Sequence, residues 1–489
     1  MKKILFLMPL MAISFLTNCG NNNPPDPPEP EPEGIGDALK FTCNSDNGSL
    51  NIYSGSYEPE DPTSNVSTNI KYVVKDASDQ EKDRGELIID GAKEQHEYTL
   101  CNDLKKGDSV YLYGNNPSGF NKIEIAIDEE GKPILKNITD ITFYTGDNDN
   151  FSVSGNIMSL IKETDFDQLK KAPGLGCFNL LFASDIDEEP VNDEKKYHCN
   201  ITDASELCIP CTGDLSHATL FANCKTLEKA PKLPAMDLEL GCYSGMFVGC
   251  EKLVVAPELP AFTLAYGCYS DMFRGCTSLK SAPELQAATL ADSCYMRMFA
   301  HCENLKTAPS IIKADEFKPG CCFQMFFECN NLKTAPMTIE ASKLAENCCE
   351  EMFYGCDSLV TAPNLPSTEL ANCCYYGMFL ECAALTKVFE LPATTLRESC
   401  YSRMFYQCEA LTQAPIIKAK TLEESSCSYM FAHCTQLTIK AASSGGYPFF
   451  TCPSGKTEAT YDMFFDTIGD FASGDKLNPG QVCYCEQPA

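Results

Sequence analysis

The sequence has no tryptophan and only five histidines among its 489 residues. Sugar-binding platforms usually need large aromatic faces, so the missing tryptophan disfavours a glycan site. The few histidines leave few candidate bases, and the chain contains no nucleophile elbow, phosphate-binding loop or His-Glu-x-x-His pattern. We therefore expect no catalytic residue, no cofactor and a protein that is not an enzyme.

Positive charge is also scarce, because 38 Lys and Arg face 68 Asp and Glu and give a formal net charge of −30. This balance disfavours nucleic acid and anionic membrane surfaces as partners. After the first residues, no segment approaches 18 uninterrupted apolar residues, the least that a membrane-spanning helix needs. Only the N-terminal segment is therefore expected to reach a membrane.

Residues 1–18 predict a signal peptide, since Lys2 and Lys3 precede an apolar run that ends just before Cys19. The segment Leu16-Thr17-Asn18-Cys19 resembles a bacterial lipobox, which implies that Cys19 carries the lipid anchor. The alternative is a soluble secreted protein with a chance cysteine here. Residues 19–35 predict a linker, because alternating proline and acid stays extended.

Residues 36–158 predict a small β-sandwich. Apolar and polar residues alternate in Leu39-Lys40-Phe41 and again over 50–52, 110–112 and 123–127, and turn-forming clusters separate these runs. The two cysteines of this segment, Cys43 and Cys101, are either bridged or packed as small buried residues.

Phenylalanine recurs every 26 or 27 residues in the last three fifths of the chain, and a cysteine follows three positions after each. The phenylalanines are Phe221, Phe247, Phe273, Phe299, Phe326, Phe353, Phe379, Phe405 and Phe431. The two longer spacings come from one extra residue after Pro309 and one after Pro336. A fixed period of this length is typical of stacked repeats with one continuous core. We therefore predict a solenoid over 159–440 and a C-terminal cap over 441–489.

Each repeat has two parts with different patterns. The Leu-x-x-Ala-Pro part predicts a short strand that stops at the proline, which cannot donate to a ladder. Leu238, Cys242, Met246 and Cys250 share an i, i+4 spacing, which predicts a short helix with one buried stripe. The predicted fold class is therefore α+β.

The repeats resemble the BspA-like branch of the leucine-rich repeats, in a form found in Gram-negative gut anaerobes. The likeness rests on runs such as 278–285 and 393–405 and on the junction phrase 154–160, and it extends over about 36–440. It implies a leucine-rich-repeat solenoid after the β-sandwich-like domain. It also implies a lipoprotein of the outer membrane, exposed at the cell surface and engaged in adhesion.

Thirty cysteines allow three interpretations, which are disulfides, metal ligands or packing. A regular repeat has two cysteines eight residues apart, such as Cys242 and Cys250. On a helix this spacing is about 12 Å of rise, which is too far for a disulfide. Cysteine is often buried as a small apolar residue, so we favour packed thiols. The doublets 321–322, 348–349 and 373–374 differ, because Cys322 and Cys349 replace a tyrosine column and could approach each other in adjacent repeats.

An irregular insert near 184–215 carries a Cys-x-x-Cys pair. Its candidate ligands are His198, Cys199, Cys208, Cys211 and His217. Zinc is one interpretation, but a second properly spaced pair is missing, so a disulfide or free thiols are favoured. No metal site is expected.

The leucine that begins each Leu-x-x-Ala-Pro part is called here the repeat leucine. A lysine follows it in three consecutive repeats, at Lys280, Lys306 and Lys333. Stacking would align these ammonium groups, either as a recognition stripe or as edge lysines that keep the surface soluble. The expected function is a non-enzymatic, lipid-anchored surface protein that binds a protein ligand on host matrix or other cells through its repeats. The alternative is a glycan-binding lipoprotein of a nutrient-uptake system.

Overall fold

The structure is a computed structural model. It describes residues 37–55, 67–90, 96–127, 133–184, 197–210, 212–442, 446–453, 457–473 and 476–486. The predicted signal peptide, the linker and Cys19 lie outside these residues. The chain divides into two compact bodies, Met1–Lys232 and Leu233–Ala489, called here the N-terminal and C-terminal bodies. No helix among the described residues has the length and apolar character needed to cross a membrane.

The N-terminal body is built from two sheets. Its strands are β1 Leu39–Cys43, β2 Gly48–Gly55, β3 Ser67–Lys75, β4 Glu81–Asp90, β5 His96–Leu104, β6 Ser109–Tyr113, β7 Lys122–Ile127, β8 Pro133–Thr145, β9 Phe151–Asn156 and β10 Ile201–Cys208. Short 3-10 helices span Ile157–Leu160 and Phe166–Gln168. The sheet orders are β10-β9-β1-β6-β3-β4 and β5-β2-β8-β7. Among the described strands of this body, β9 and β10 are the one parallel pair.

Apolar alternation produces these strands and the core between them. In β1, Leu39, Phe41 and Cys43 are fully buried, and the residues between them are partly exposed. The ring of Phe41 in the first sheet lies 5.4 Å from that of Phe143 in the second, so the two sheets pack through these side chains. The strands predicted around 39–41, 50–52, 110–112 and 123–127 are confirmed.

The N-terminal body also contains a repeat that the sequence analysis missed. The rings of Phe182 and Phe221 lie 5.1 Å apart and are tilted by 35°, and the segment 176–184 bonds to 214–222 through alternate amides, such as Phe178 N–H to Ser216 O at 2.7 Å. The spacing of 39 residues between the two phenylalanines hid this repeat, because 13 extra residues interrupt the period. Part of the predicted insert, 185–196, lies outside the described residues.

The C-terminal body stacks its repeats through a column of phenylalanine rings. Neighbouring rings lie 5.4–5.8 Å apart and within 5–12° of parallel. The column consists of Phe247, Phe273, Phe299, Phe326, Phe353, Phe379, Phe405, Phe431 and Phe464. Burying each ring contributes about 2–3 kcal/mol, so this column is a substantial part of the apolar core of the body.

The segment around each phenylalanine is a chain of tight turns. Within 241–249, alternate amides donate to the next repeat, as in Tyr243 N–H to Cys268 O at 3.0 Å and Phe247 N–H to Met272 O at 2.9 Å. The amides between them donate three residues back within the repeat, as in Met246 N–H to Tyr243 O at 3.2 Å. We call this part of each repeat the turn segment.

Every fourth residue of a turn segment has a left-handed backbone. In the first of these segments, φ is 53° at Gly241, 58° at Gly245 and 69° at Gly249. Arg297 and His301 adopt the same conformation in a later repeat, at 51° and 59°. An α-helix needs an unbroken run of negative φ, so these positions exclude one.

The predicted fold class is therefore wrong: the chain is not an α+β fold with a leucine-rich-repeat solenoid. The described residues contain no α-helix, only short 3-10 turns, and the strands form several small sheets, none of them solenoid-like. The i, i+4 stripe of Cys242, Met246 and Cys250 is buried as expected. Its period of four comes from successive turns, because the residue before each member is left-handed.

Strands in the C-terminal body are short. They are β11 Ile312–Lys313, β12 Ile339–Glu340, β13 Thr395–Leu396, β14 Thr421–Leu422, β15 Thr438–Lys440, β16 Tyr447–Thr451, β17 Ile468–Gly469 and β18 Val482–Cys485, with a 3-10 helix at Thr457–Thr460. The Leu-x-x-Ala-Pro parts form single parallel bridges, such as Ser281 to Thr307, where strands were predicted. At the end of the body, β16-β18-β15-β17 form one sheet, and Phe449 packs edge-on against Phe431 at 6.1 Å.

Candidate functional site: the lysine stripe

The lysine stripe consists of Lys280, Lys306 and Lys333, and the repeat fold aligns its members. The leucine before each lysine is fully buried, which turns the lysine outward, and all three lysines are exposed. Lys306 N–H donates to Lys280 O at 2.9 Å, and Lys333 N–H donates to Lys306 O at 3.0 Å. The three lysines therefore occupy consecutive rungs, about 4.8 Å apart if the spacing is that of a sheet.

The stripe carries positive charge that the described part of the chain does not neutralise. No carboxylate there forms an ion pair or a hydrogen bond with the three ammonium groups. Other lysines of the same body are paired, for example Lys313 with Glu340 at 3.1 Å and Lys418 with Glu390 at 2.6 Å. In a chain of net charge −30, three adjacent unpaired lysines form a distinct basic patch.

Apolar side chains flank the stripe at the same position of neighbouring repeats. Val254 precedes Lys280 and Val360 follows Lys333, with exposed fractions of 36% and 44%. Thr386 and Thr412 continue the row, and both are partly buried. The row therefore presents a basic centre between two exposed valines, an arrangement suited to contact with a folded partner.

A shallow groove lies among the loops of three consecutive repeats in the same body. It encloses about 680 Å³, including open solvent, and its lining includes Asp315, Ser342 and Thr368. The extra residues of the two 27-residue repeats fall in these loops, after Pro309 and Pro336. The lining contains no aromatic ring, so the groove lacks the stacking surface that sugar sites use.

The candidate zinc ligands of the insert that the structure describes do not form a group. Cys199 and His217 are fully buried and Cys208 is exposed, while Cys211 lies outside the described residues. His217 packs 5.3 Å from the ring of Phe178, and burial lowers its pKa to about 3. Among the described residues, no three His, Cys, Asp or Glu side chains are grouped as a metal would require. Cys43 and Cys101 are free thiols in this structure.

Two histidines, His301 and His433, stand directly before the second cysteine of their repeats and reach the surface. His301 Nδ1 lies 3.1 Å from Glu328, and His433 Nδ1 lies 2.9 Å from Asp466. Both pairs are substantially exposed, and each joins left-handed positions of consecutive repeats. These are contacts at the surface between an imidazole and a carboxylate, and neither pair contains a nucleophile.

One buried polar cluster was not predicted. Asp271 is fully buried beside Arg297 at 3.1 Å and Arg274 at 3.2 Å, and the Ser270 hydroxyl donates to it at 3.0 Å. Burial raises the pKa of Asp271, and the two guanidinium groups oppose that rise. The sequence signal was a charged residue in a column where the preceding repeat has Gly245. The cluster joins two repeats and offers no open site.

No protein family, curated protein or solved structure matches the chain. The resemblance to BspA-like proteins therefore stays a prediction.

Proposed function

We propose that this protein is a non-enzymatic surface lipoprotein that binds an acidic protein ligand through the lysine stripe. The proposal includes lipidation at Cys19, exposure at the outer membrane and a role in adhesion to host matrix or other cells. The observation that carries it is the row of three exposed, unpaired lysines between exposed valines.

The charge balance of the chain supports an acidic ligand at this place. A net charge of −30 repels acidic molecules from most of the surface, so an acidic ligand is directed to the patch where cations are unpaired. The exposed side chains of Val254 and Val360 add apolar contact at both ends of the stripe. Apolar contact beside complementary charge favours a protein over a free polyanion.

The test is capture of ligands from matrix and bacterial-surface extracts on the full chain, followed by measurement of affinity for the captured protein. A triple variant with Lys280, Lys306 and Lys333 changed to Glu is expected to lose at least tenfold in affinity. The matched control changes Lys313, Lys343 and Lys420 to Glu, which are exposed lysines outside the stripe. Equal losses in both variants would contradict the assignment of the stripe.

A glycan array with the same two variants tests the alternative ligand class. Binding of neutral glycans that survives the stripe variant would favour the glycan-binding lipoprotein. A null array together with protein capture favours the proposed function.

A further inference from the structure

Most cysteines of the C-terminal body belong to two columns, one five residues before the phenylalanine of each repeat and one three residues after it. From Cys276 onward, each thiol of the second column donates to the backbone carbonyl of the phenylalanine one repeat back, as in Cys276 Sγ to Phe247 O at 3.1 Å and Cys302 Sγ to Phe273 O at 3.1 Å. The same bond recurs at 3.0–3.2 Å from Cys329, Cys356, Cys382, Cys408 and Cys434. A disulfide has no S–H to donate, so this column needs reduced thiols.

The first column is an uninterrupted run of cysteines. Its members are Cys242, Cys268, Cys294, Cys321, Cys348, Cys374 and Cys400, all fully buried. Each inner member has an equivalent neighbour on both sides, so no single pair is singled out. Pairing any two would leave an unmatched neighbour beside them.

A third column contains an isolated cysteine pair. In most repeats a tyrosine stands four residues before the phenylalanine. The rings of neighbouring tyrosines stack, with 6.0 Å between Tyr269 and Tyr295 and 6.2 Å between Tyr375 and Tyr401. Between Tyr295 and Tyr375 the column holds two cysteines, at Cys322 and Cys349. Each of the two therefore has one cysteine neighbour and one tyrosine neighbour within the column.

The geometry around this pair suits a covalent bond. Cys322 N–H donates to Cys348 O at 2.8 Å, which places Cys322 and Cys349 on adjacent rungs. Adjacent rungs are about 4.8 Å apart, within the Cα separations of 4.4–6.8 Å that disulfides adopt. Both side chains are fully buried.

We propose that Cys322 and Cys349 form a disulfide between two adjacent repeats when the chain folds in the presence of a disulfide oxidant. The Cys322 thiolate attacks one sulfur of oxidised glutathione, which forms a mixed disulfide and releases one reduced glutathione. The Cys349 thiolate then attacks the Cys322 sulfur of that bond and releases a second reduced glutathione. Two protein thiols are thereby oxidised, one glutathione disulfide is reduced, and the two protons end on the glutathione thiols.

The exchange takes place before these repeats close, because Cys321, Cys322 and Cys349 are fully buried once the chain has folded. The folded surroundings therefore do not decide which thiolate attacks first, and the same product forms when Cys349 makes the first attack and Cys322 the second.

The test refolds the full chain in a glutathione redox buffer, alkylates free thiols in denaturant and maps linked peptides by tandem mass spectrometry. The expected product links Cys322 to Cys349, and the alkylated thiols fall by two relative to chain refolded in excess reductant. In a Cys322→Ser variant the link should disappear and Cys349 should become fully alkylated. In the matched Cys276→Ser variant the link should remain.

Two outcomes would overturn the proposal. One is complete alkylation of both cysteines in wild-type chain that has regained its native circular dichroism spectrum. The other is a bond from Cys322 to Cys321, whose Sγ lies 3.9 Å away, or a mixture of links along the first or second column. If Cys322→Ser fails to refold, Cys349→Ser serves instead, with alkylation of Cys322 as the readout.

Discussion

At the scale of single residues, the second cysteine of the repeat acts as a hydrogen-bond donor as well as a packing group. The carbonyl of Phe247 accepts from Cys250 N–H at 3.1 Å and from Cys276 Sγ at 3.1 Å. The column of cysteines in the sequence predicts burial, but a column does not show which atom the thiol faces. The partner became visible only with the turn geometry.

Replacing Cys276 tests this donor role. Cys276→Ala removes the sulfur and its hydrogen bond, so we expect a loss of about 1–2 kcal/mol in the free energy of unfolding. Cys276→Ser keeps a donor for Phe247 O and should lose less. Urea unfolding in excess reductant measures both variants. A serine variant that is no more stable than the alanine variant would show that the thiol acts by packing alone.

The buried thiols also predict how stability depends on pH. Burial raises the pKa of Cys329 and of Cys434 to about 12, from an ordinary value of 9.0. Below pH 9 both folded and unfolded chains keep these protons, so the stabilisation is complete. Between about pH 9 and 12 the unfolded chain ionises first, and the free energy of unfolding falls by up to about 1.4 kcal/mol per pH unit for each such thiol.

Urea midpoints measured from pH 8 to 11 in reductant check this expectation. Cys329→Ser removes one titrating group and should reduce the alkaline slope by the share of one thiol. Tyrosines and lysines also titrate in this range, and the comparison between variant and wild type cancels their contribution. A slope that Cys329→Ser leaves unchanged would rule out a raised thiol pKa as the cause.

At the scale of elements, the period and the buried columns were predictable and the backbone path was not. A four-residue apolar period fits both a helix and a chain of turns, and propensity does not separate them where cysteine and methionine dominate. Gly241, Gly245 and Gly249 are evidence against a helix in the sequence itself, because three glycines four residues apart disfavour one. Later repeats conceal it, because Arg297 and His301 adopt the same left-handed backbone.

Substitution at a left-handed position tests the turn geometry. At Gly275, φ is 73° and an added Cβ would find its nearest neighbour, Gly249 Cα, at an ordinary 3.7 Å. Gly275→Ala should therefore lose about 1 kcal/mol through backbone strain alone. The matched change, Gln407→Gly at φ 58°, should leave stability unchanged or raise it. Thermal unfolding compares the two, and a stabilised Gly275→Ala would contradict the left-handed assignment.

At the scale of the whole molecule, the prediction of the candidate site depended on the repeat period more than on the fold class. The prediction of a helix was wrong, but it did not affect the predicted alignment of Lys280, Lys306 and Lys333. The repeat leucine before each lysine is buried, as a helical repeat would also require. What the sequence could not show was that no carboxylate of the described residues pairs with the lysines of the stripe. With 68 acidic residues in the chain, that property depends on three-dimensional placement.

Salt dependence tests the charge of the interface. Raising the ionic strength from about 0.05 M to about 0.5 M should weaken binding of the captured ligand by wild type, because screening shortens the range of the lysine field. The triple variant of Lys280, Lys306 and Lys333 should show little salt dependence of binding. Its free energy of unfolding should stay within about 1 kcal/mol of the wild-type value, because charge changes at the surface cost little stability. Binding that strengthens with salt would point to an apolar interface.

The one-way direction of the bonds between turn segments gives the stack an electrical polarity. From Gly241 to His433, alternate amides point toward the following repeat and the accepting carbonyls point back. The peptide dipoles of this row therefore add, with a positive pole at the C-terminal end, as they do along a helix axis. The two ends of the row are chemically unlike: the first turn segment offers carbonyl acceptors, while the last, around Phe464, has amide donors to satisfy. A segment that closes the last repeat must therefore supply acceptors, as Ala472 O does for Asp466 N–H at 3.1 Å.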